Sequence, residues 1–127
     1  MFSKYKTALI TENFDSLALI CLRYLIKFME KTILQKQFTQ FGGLQFDKDL
    51  RMIINFFTSI TQKTVRGEFV RLIQMSTLLN LERVGEVLDI WGENSGQMTW
   101  RLAPSEVRRV LSRRIGFEGE EIAALKL

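Results

Sequence analysis

The chain has 127 residues, 46% hydrophobic and 25% charged, with a net charge of +4, one cysteine and no histidine. These numbers suit a single globular unit with an ordinary apolar core. They exclude Ser-His-Asp and Cys-His nucleophile pairs, and a lone Cys21 supplies neither a disulfide framework nor a zinc ligand set. The expectation is a soluble chain of a reducing, cytosolic-side compartment that needs no cofactor and no metal.

From the N-terminus, Thr11, Glu12, Asn13 and Asp15 interrupt any signal-peptide apolar run. Arg23 and Lys27 break the most apolar stretch, Leu17–Met29, well short of a membrane span. From Phe14 to about Phe38, apolar residues Leu17, Ile20, Cys21, Tyr24, Leu25, Phe28, Ile33 and Leu34 recur at helical spacing, with Asn13 or Asp15 as the cap. Leu22, Ile26 and Met29 widen that surface, so the helix is expected to pack on more than one side. Gly42-Gly43 reads as a break, and Asp47 and Asp49 as first-turn acids of the next helix. Leu50, Ile53, Ile54 and Phe57 form its stripe. The stripe loses phase over 60–65 and re-forms at Val65, Phe69, Leu72 and Ile73, which fits either two helices or one kinked helix. Asn80 is the expected N-cap of a helix over Leu81–Trp91, with Leu79 and Val84 as its hydrophobic staple. After the turn Glu93–Gly96, Pro104 takes a first-turn position. Val107, Val110, Leu111 and Ile115 line that helix up to Gly116, and a short helix over Glu120–Leu127 closes the chain. The fold class is all-α, a small helical bundle.

Five arginines against Glu106 within Arg101–Arg114 carry the entire net charge of the chain. Arg108, Arg109 and Arg113 share the polar side of their helix, a solvated face or a surface for phosphates or an acidic partner. No aromatic residue interleaves them, so nucleic acid is not an expected ligand. Arg71 and Arg114 intrude on apolar stripes and need carboxylate or carbonyl partners. Among Glu106, Glu86 and Glu68, Glu106 is the favoured partner of Arg71 because that pair joins distant segments. Trp91 and Trp100 bracket a turn and pin it to the core, unless Trp100 stands out beside Arg101 as a recognition element. Cys21 reads as a small buried hydrophobe.

Three segments carry a resemblance: Phe41-Gly-Gly-Leu-Gln-Phe-Asp-Lys-Asp-Leu-Arg51, Leu79-Asn-Leu-Glu-Arg-Val84 and Thr99-Trp-Arg-Leu-Ala-Pro-Ser-Glu-Val-Arg108. In this order and spacing they resemble the C-terminal region of the fourth-subunit family of the conserved oligomeric Golgi complex. The resemblance implies the C-terminal end of a helical-rod tethering subunit on the cytoplasmic face of the Golgi membrane. Such a subunit works without catalysis in intra-Golgi retrograde vesicle transport, and so in keeping glycosylation enzymes in place. Its implied partners are other subunits of the complex and Golgi SNARE proteins, with peripheral membrane contact. Residues 1–40 would then hold a long helix continuing the rod, and 41–127 the C-terminal helical domain. The alternative is a basic helical module binding phosphates of anionic lipid or nucleic acid.

Overall fold

A computed structural model describes residues 4–61, 65–96 and 98–127, with side chains from residue 13 onward. The elements are α1 (Lys4–Gln35), α2 (Gln40–Ile60), a 3-10 turn (Arg66–Phe69) running into α3 (Val70–Leu79), 3-10 turns at Val84–Asp89 and Gly92–Ser95, α4 (Pro104–Leu111) and α5 (Gly119–Ala123). No strand occurs among the described residues; a single parallel bridge joins Phe38 to Arg114. The all-α expectation holds.

α1 starts well before Asn13, so neither Asn13 nor Asp15 caps it. Among the described residues it buries the apolar Ala18, Leu22, Ile26 and Ile33 and, in its N-terminal half, Asp15. The stripe read as its main core face is largely outside: Leu17, Ile20, Tyr24 and Phe28 are 54–76% exposed, and Cys21 is exposed as well. The helix carries two apolar stripes, and periodicity alone does not say which one this chain covers.

Gly42 and Gly43 do not break the chain. They lie in the first turn of α2, whose N-cap Thr39 accepts a 2.9 Å hydrogen bond from the Gly42 amide through Oγ1. Glycine is required at 43 because a Cβ there would stand 2.8 Å from the Leu79 carbonyl oxygen, where α2 and α3 meet. Asp47 and Asp49 sit beyond the first turn, so they do not cap. Asp47 instead accepts from Ser76 Oγ of α3 at 3.0 Å and pairs with Arg51 at 2.8 Å, and Asp49 accepts from Gln45. Leu50 and Ile54 are buried as the stripe requires, while Ile53 and Phe57 pack against the core at its margin. α2 ends at Ile60 and helical structure resumes at Arg66 with the stripe rephased; residues 62–64 lie outside the described residues.

α3 is the centre of the core: Phe69, at its N-cap, and Leu72, Met75, Leu78 and Leu79 are all at most 1% exposed. Asn80 is its C-cap, not the N-cap of a following helix. Its Nδ2 donates to the Ser76 and Gly43 carbonyls at 2.8 and 2.9 Å, so the side chain is committed backward. In place of the expected Leu81–Trp91 helix only the 3-10 turn Val84–Asp89 forms. Its three-residue period puts Val84 and Val87 together, at 2% and 0% exposure. Pro104 opens α4 as expected, burying Val107, Val110 and Leu111, but the helix stops at Leu111. Ile115 lies past that end and is 54% exposed, ahead of Gly116 at φ +97°. α5 and the turn after it return Ile122 and Leu125 to the core.

Overpacking at a backbone contact costs roughly 1–3 kcal/mol. Gly43→Ala is therefore expected to lower the melting temperature by several degrees. Gly67→Ala, where nothing lies within 4 Å of the added carbon, should leave it unchanged or slightly higher.

Candidate functional site

Arg71 projects from the first turn of α3 into a polar node. Its Nη2 donates to Glu106 Oε2 and its Nη1 to Glu106 Oε1, the latter at 3.3 Å. Nε donates to Glu30 Oε1 at 3.0 Å, and Nη1 also reaches the Arg101 carbonyl at 2.9 Å. Glu106 Oε1 in addition accepts the Ala103 amide at 2.9 Å, satisfying an orphan donor at the start of α4. One guanidinium thus joins α1, α3, the approach to α4 and α4 itself. Hydrogen bonding to Glu106 raises the Arg71 pKa above its ordinary value against the lowering effect of burial, and Glu30 adds to the rise. Hydrogen bonds from Arg71, then from the Ala103 amide, hold the Glu106 carboxyl below the usual glutamate value.

The structure brings Arg71 and Glu106 together. The other two glutamates weighed as partners lie elsewhere: Glu68 pairs with Arg23 at 3.2 Å and Glu86 faces Arg83 at 3.8 Å. Glu30 was missed, although it stands four residues after Ile26 and three before Ile33, beside the stripe that is buried. Gln74 was missed too. It is 2% exposed, with Nε2 donating to the Thr99 carbonyl and Oε1 accepting the Arg101 amide, both at 2.9 Å. A polar residue one turn from Arg71 in an apolar segment was the available signal.

The basic run is divided by the fold. Arg114 is 6% exposed, donates through Nη1 to the Leu79 and Leu81 carbonyls at 2.7 Å each, and stacks 4.6 Å from the Phe117 ring centroid. Arg108 donates to the Leu125 carbonyl at 2.9 Å. Arg113 is half-buried with its Nε sequestered, while Arg101 and Arg109 are exposed. Trp100 is not a projecting recognition element. Its ring lies 5.0 Å from that of Trp91, and its Nε1 donates to the Ile90 carbonyl at 2.8 Å, pinning the intervening turn.

A larger surface lies on α1 and α2. The exposed stripe of α1, from Phe14 through Leu17, Tyr24 and Phe28, is accompanied on α2 by Phe41, Leu44, Met52 and Phe56, 48–73% exposed. Phe28 and Phe41 belong to a groove of about 480 Å³ between the two helices, walled by Leu25, Met29, Ile33, Phe38, Phe46 and Ile53. An apolar groove flanked by exposed apolar side chains of both helices has the character of an interaction surface. Among the described residues, no group of three or more His, Cys, Asp or Glu side chains is placed to hold a metal ion, and no helix is long and apolar enough to cross a membrane.

Fold and surfaces together define an all-α helical domain with an uncovered apolar helix face. Residues 1–109 match the family described as conserved oligomeric Golgi complex subunit 4, C-terminal, and the chain belongs to that family. It is similar to the conserved oligomeric Golgi complex subunit 4 of Arabidopsis thaliana, 54% identical over 92% of this chain and 16% of that protein. Likeness to the subunit 4 of Homo sapiens is 48% over 98% of this chain and 16% of the relative, and to that of Dictyostelium discoideum 44% over 98% and 14%. The chain thus spans about one-sixth of the length of these relatives.

Breaking a buried ion pair costs about 3–5 kcal/mol, and side chains more than a third exposed, as Arg71 and Glu106 are, gain less through screening. Arg71→Ala is expected to destabilise by roughly 1–3 kcal/mol, partly because Glu30 and Glu106 then face each other uncompensated. Arg101→Ala should be near neutral, since only the backbone of that residue is used. Equal melting temperatures for wild type and Arg71→Ala would remove the node from the stability of the fold.

The pH dependence follows from the Glu106 shift. A carboxyl held lower in the folded state contributes fully above its ordinary value of 4.5 and loses that contribution as pH falls through the lower folded value. Glu106→Gln should therefore unfold with a flatter acid limb below about pH 4.5, and this is read from urea midpoints measured at stepped pH. Arg71 titrates too high to contribute in this range.

Proposed function

We propose that the chain acts as a non-enzymatic domain of a vesicle-tethering subunit, serving intra-Golgi retrograde transport and Golgi maintenance through protein–protein contacts. The observation that carries this reading is the uncovered apolar face of α1 and α2 in a member of this Golgi-complex family. A tether needs rigid helical surfaces and no reactive group, and the node at Arg71 supplies rigidity where α1 meets the C-terminal half. In this reading residues 1–40 continue the helical rod of a full-length subunit, and the exposed stripe of α1 packs against helices of that rod or of neighbouring subunits. Its place is the cytoplasmic face of the Golgi membrane, with peripheral contact. Golgi SNARE proteins are a second class of partner, for which Arg109 and the open parts of Arg113 and Arg108 offer a polar rim.

The test is a pull-down from cytosol plus Golgi membranes with three forms of the chain: wild type, Leu17→Glu/Tyr24→Glu, and Arg108→Ser/Arg109→Ser/Arg113→Ser. Wild type is expected to recover other subunits of the complex, and the α1 variant to lose them while keeping its helical circular-dichroism spectrum. SNARE recovery should fall with the arginine variant alone. Recovery of no subunit by wild type, or equal recovery by the α1 variant, would refute the tethering assignment of this face.

A further inference from the structure

Two adjoining clefts lie between the turn Val84–Asp89 and α5. The first, about 540 Å³, is walled by Glu82, Glu86, Asp89 and Glu121, with Phe117 as its apolar surface and Arg83 as its one cation. The second, about 440 Å³, is walled by Leu88, Ala124 and Leu125, with Lys126 at its edge. Val84, Gly85 and Glu121 belong to both, so the two are lobes of one surface, one acidic and one apolar.

The walls are fixed from beneath. Arg114, anchored on the Leu79 and Leu81 carbonyls, stacks on Phe117. Arg108 holds the Leu125 carbonyl, and Leu125 itself is 7% exposed. A preformed cleft loses little conformational freedom when it binds. The Arg83–Glu86 contact is long, and the arginine side chain is 85% exposed, so it neutralises the acidic lobe only weakly. Four carboxylates against Arg83 and Lys126 leave the two lobes net negative in a chain whose net charge is positive. Gly85 and Gly116 leave bare backbone at the surface: nothing lies within 4 Å of a Cβ built on either. Bare backbone lets an incoming side chain approach the main chain closely.

We propose that this two-lobed cleft docks a short segment of a partner protein carrying an aliphatic side chain beside two or more lysines or arginines. The aliphatic group fills the lobe at Leu88 and Leu125, and the cations face the carboxylates of the other lobe. Lipid phosphates and nucleic acid are repelled by the same carboxylates, which selects a protein segment as the occupant. The inference goes beyond the tethering role and uses a different surface from the α1–α2 face.

The test selects a displayed random-peptide library on the immobilised 127-residue chain and then measures the enriched peptides by fluorescence anisotropy. The expected consensus pairs leucine, isoleucine or phenylalanine with lysine or arginine, and its binding weakens with added salt. Affinity should fall about tenfold for Glu86→Gln/Glu121→Gln, as for loss of central contacts in an interface. It should fall at least as far for Gly85→Trp, which fills the cleft from an open position and whose fold is checked by its melting temperature. Lys48→Ser, an exposed position lining neither lobe, should bind as wild type does. No enrichment over blank support, a consensus without basic residues, or undiminished binding by the glutamine variant would each overturn the proposal. Should Gly85→Trp fail to fold, the glutamine variant alone decides.

Discussion

The Arg71 guanidinium is the constraint on which the arrangement of the helices depends. Apolar burial supplies most of the driving force for collapse but is non-directional, so it does not by itself choose among nearby registers. The polar side chains of α3 and its cap make that choice, tying α3 to α1, to α2 and to the approach and first turn of α4. Arg71 engages Glu30, Glu106 and the Arg101 carbonyl, and Gln74 holds the Thr99–Arg101 main chain. Ser76 meets Asp47, and Asn80 meets the Gly43 carbonyl. Of these only Arg71 balances two carboxylates from separate helices. Its loss would remove four hydrogen bonds to three residues and leave a like-charge pair behind.

What could be read from the sequence was whatever repeats locally. The α2 stripe, Pro104 at the start of α4, the final short helix and the loss of phase near residue 60 follow from period and capping chemistry. The partner of Arg71 was legible for a different reason: a cation on an apolar stripe demands an anion, and few acids lie near apolar stripes. The errors have one physical source. Gly43, Asp47 and Asn80 have strong local meanings as helix stop, first-turn acid and N-cap, and each is overridden by a tertiary partner. Gly43 is fixed by the Leu79 carbonyl, Asp47 by Ser76, and Asn80 by Gly43 and Ser76. Local signals of this size, about 1 kcal/mol each, lose to a buried contact.

The reversal on α1 has a related cause with a functional consequence. Ala18, Leu22, Ile26 and Ile33 differ little in hydrophobicity from Leu17, Ile20, Tyr24 and Phe28, yet only the first set is covered. A helix that needed one covered face would place polar residues on the other, so a second apolar stripe implies a second packing surface.

Charge shows how folding redistributes what composition averages. The excess of +4 sits in Arg101–Arg114, but Arg114 is spent on carbonyls and an aromatic ring, and Arg108 on the Leu125 carbonyl. The basic surface presented to solvent is smaller than the sequence suggests. The remainder of the chain sums to neutrality, yet that neutrality is not uniform, because Glu82, Glu86, Asp89 and Glu121 gather around one cleft. The two features are coupled: the arginines withdrawn from the basic face hold Phe117 and Leu125, which wall the cleft. A positive run in the sequence thus becomes, in three dimensions, the framework of a negative surface.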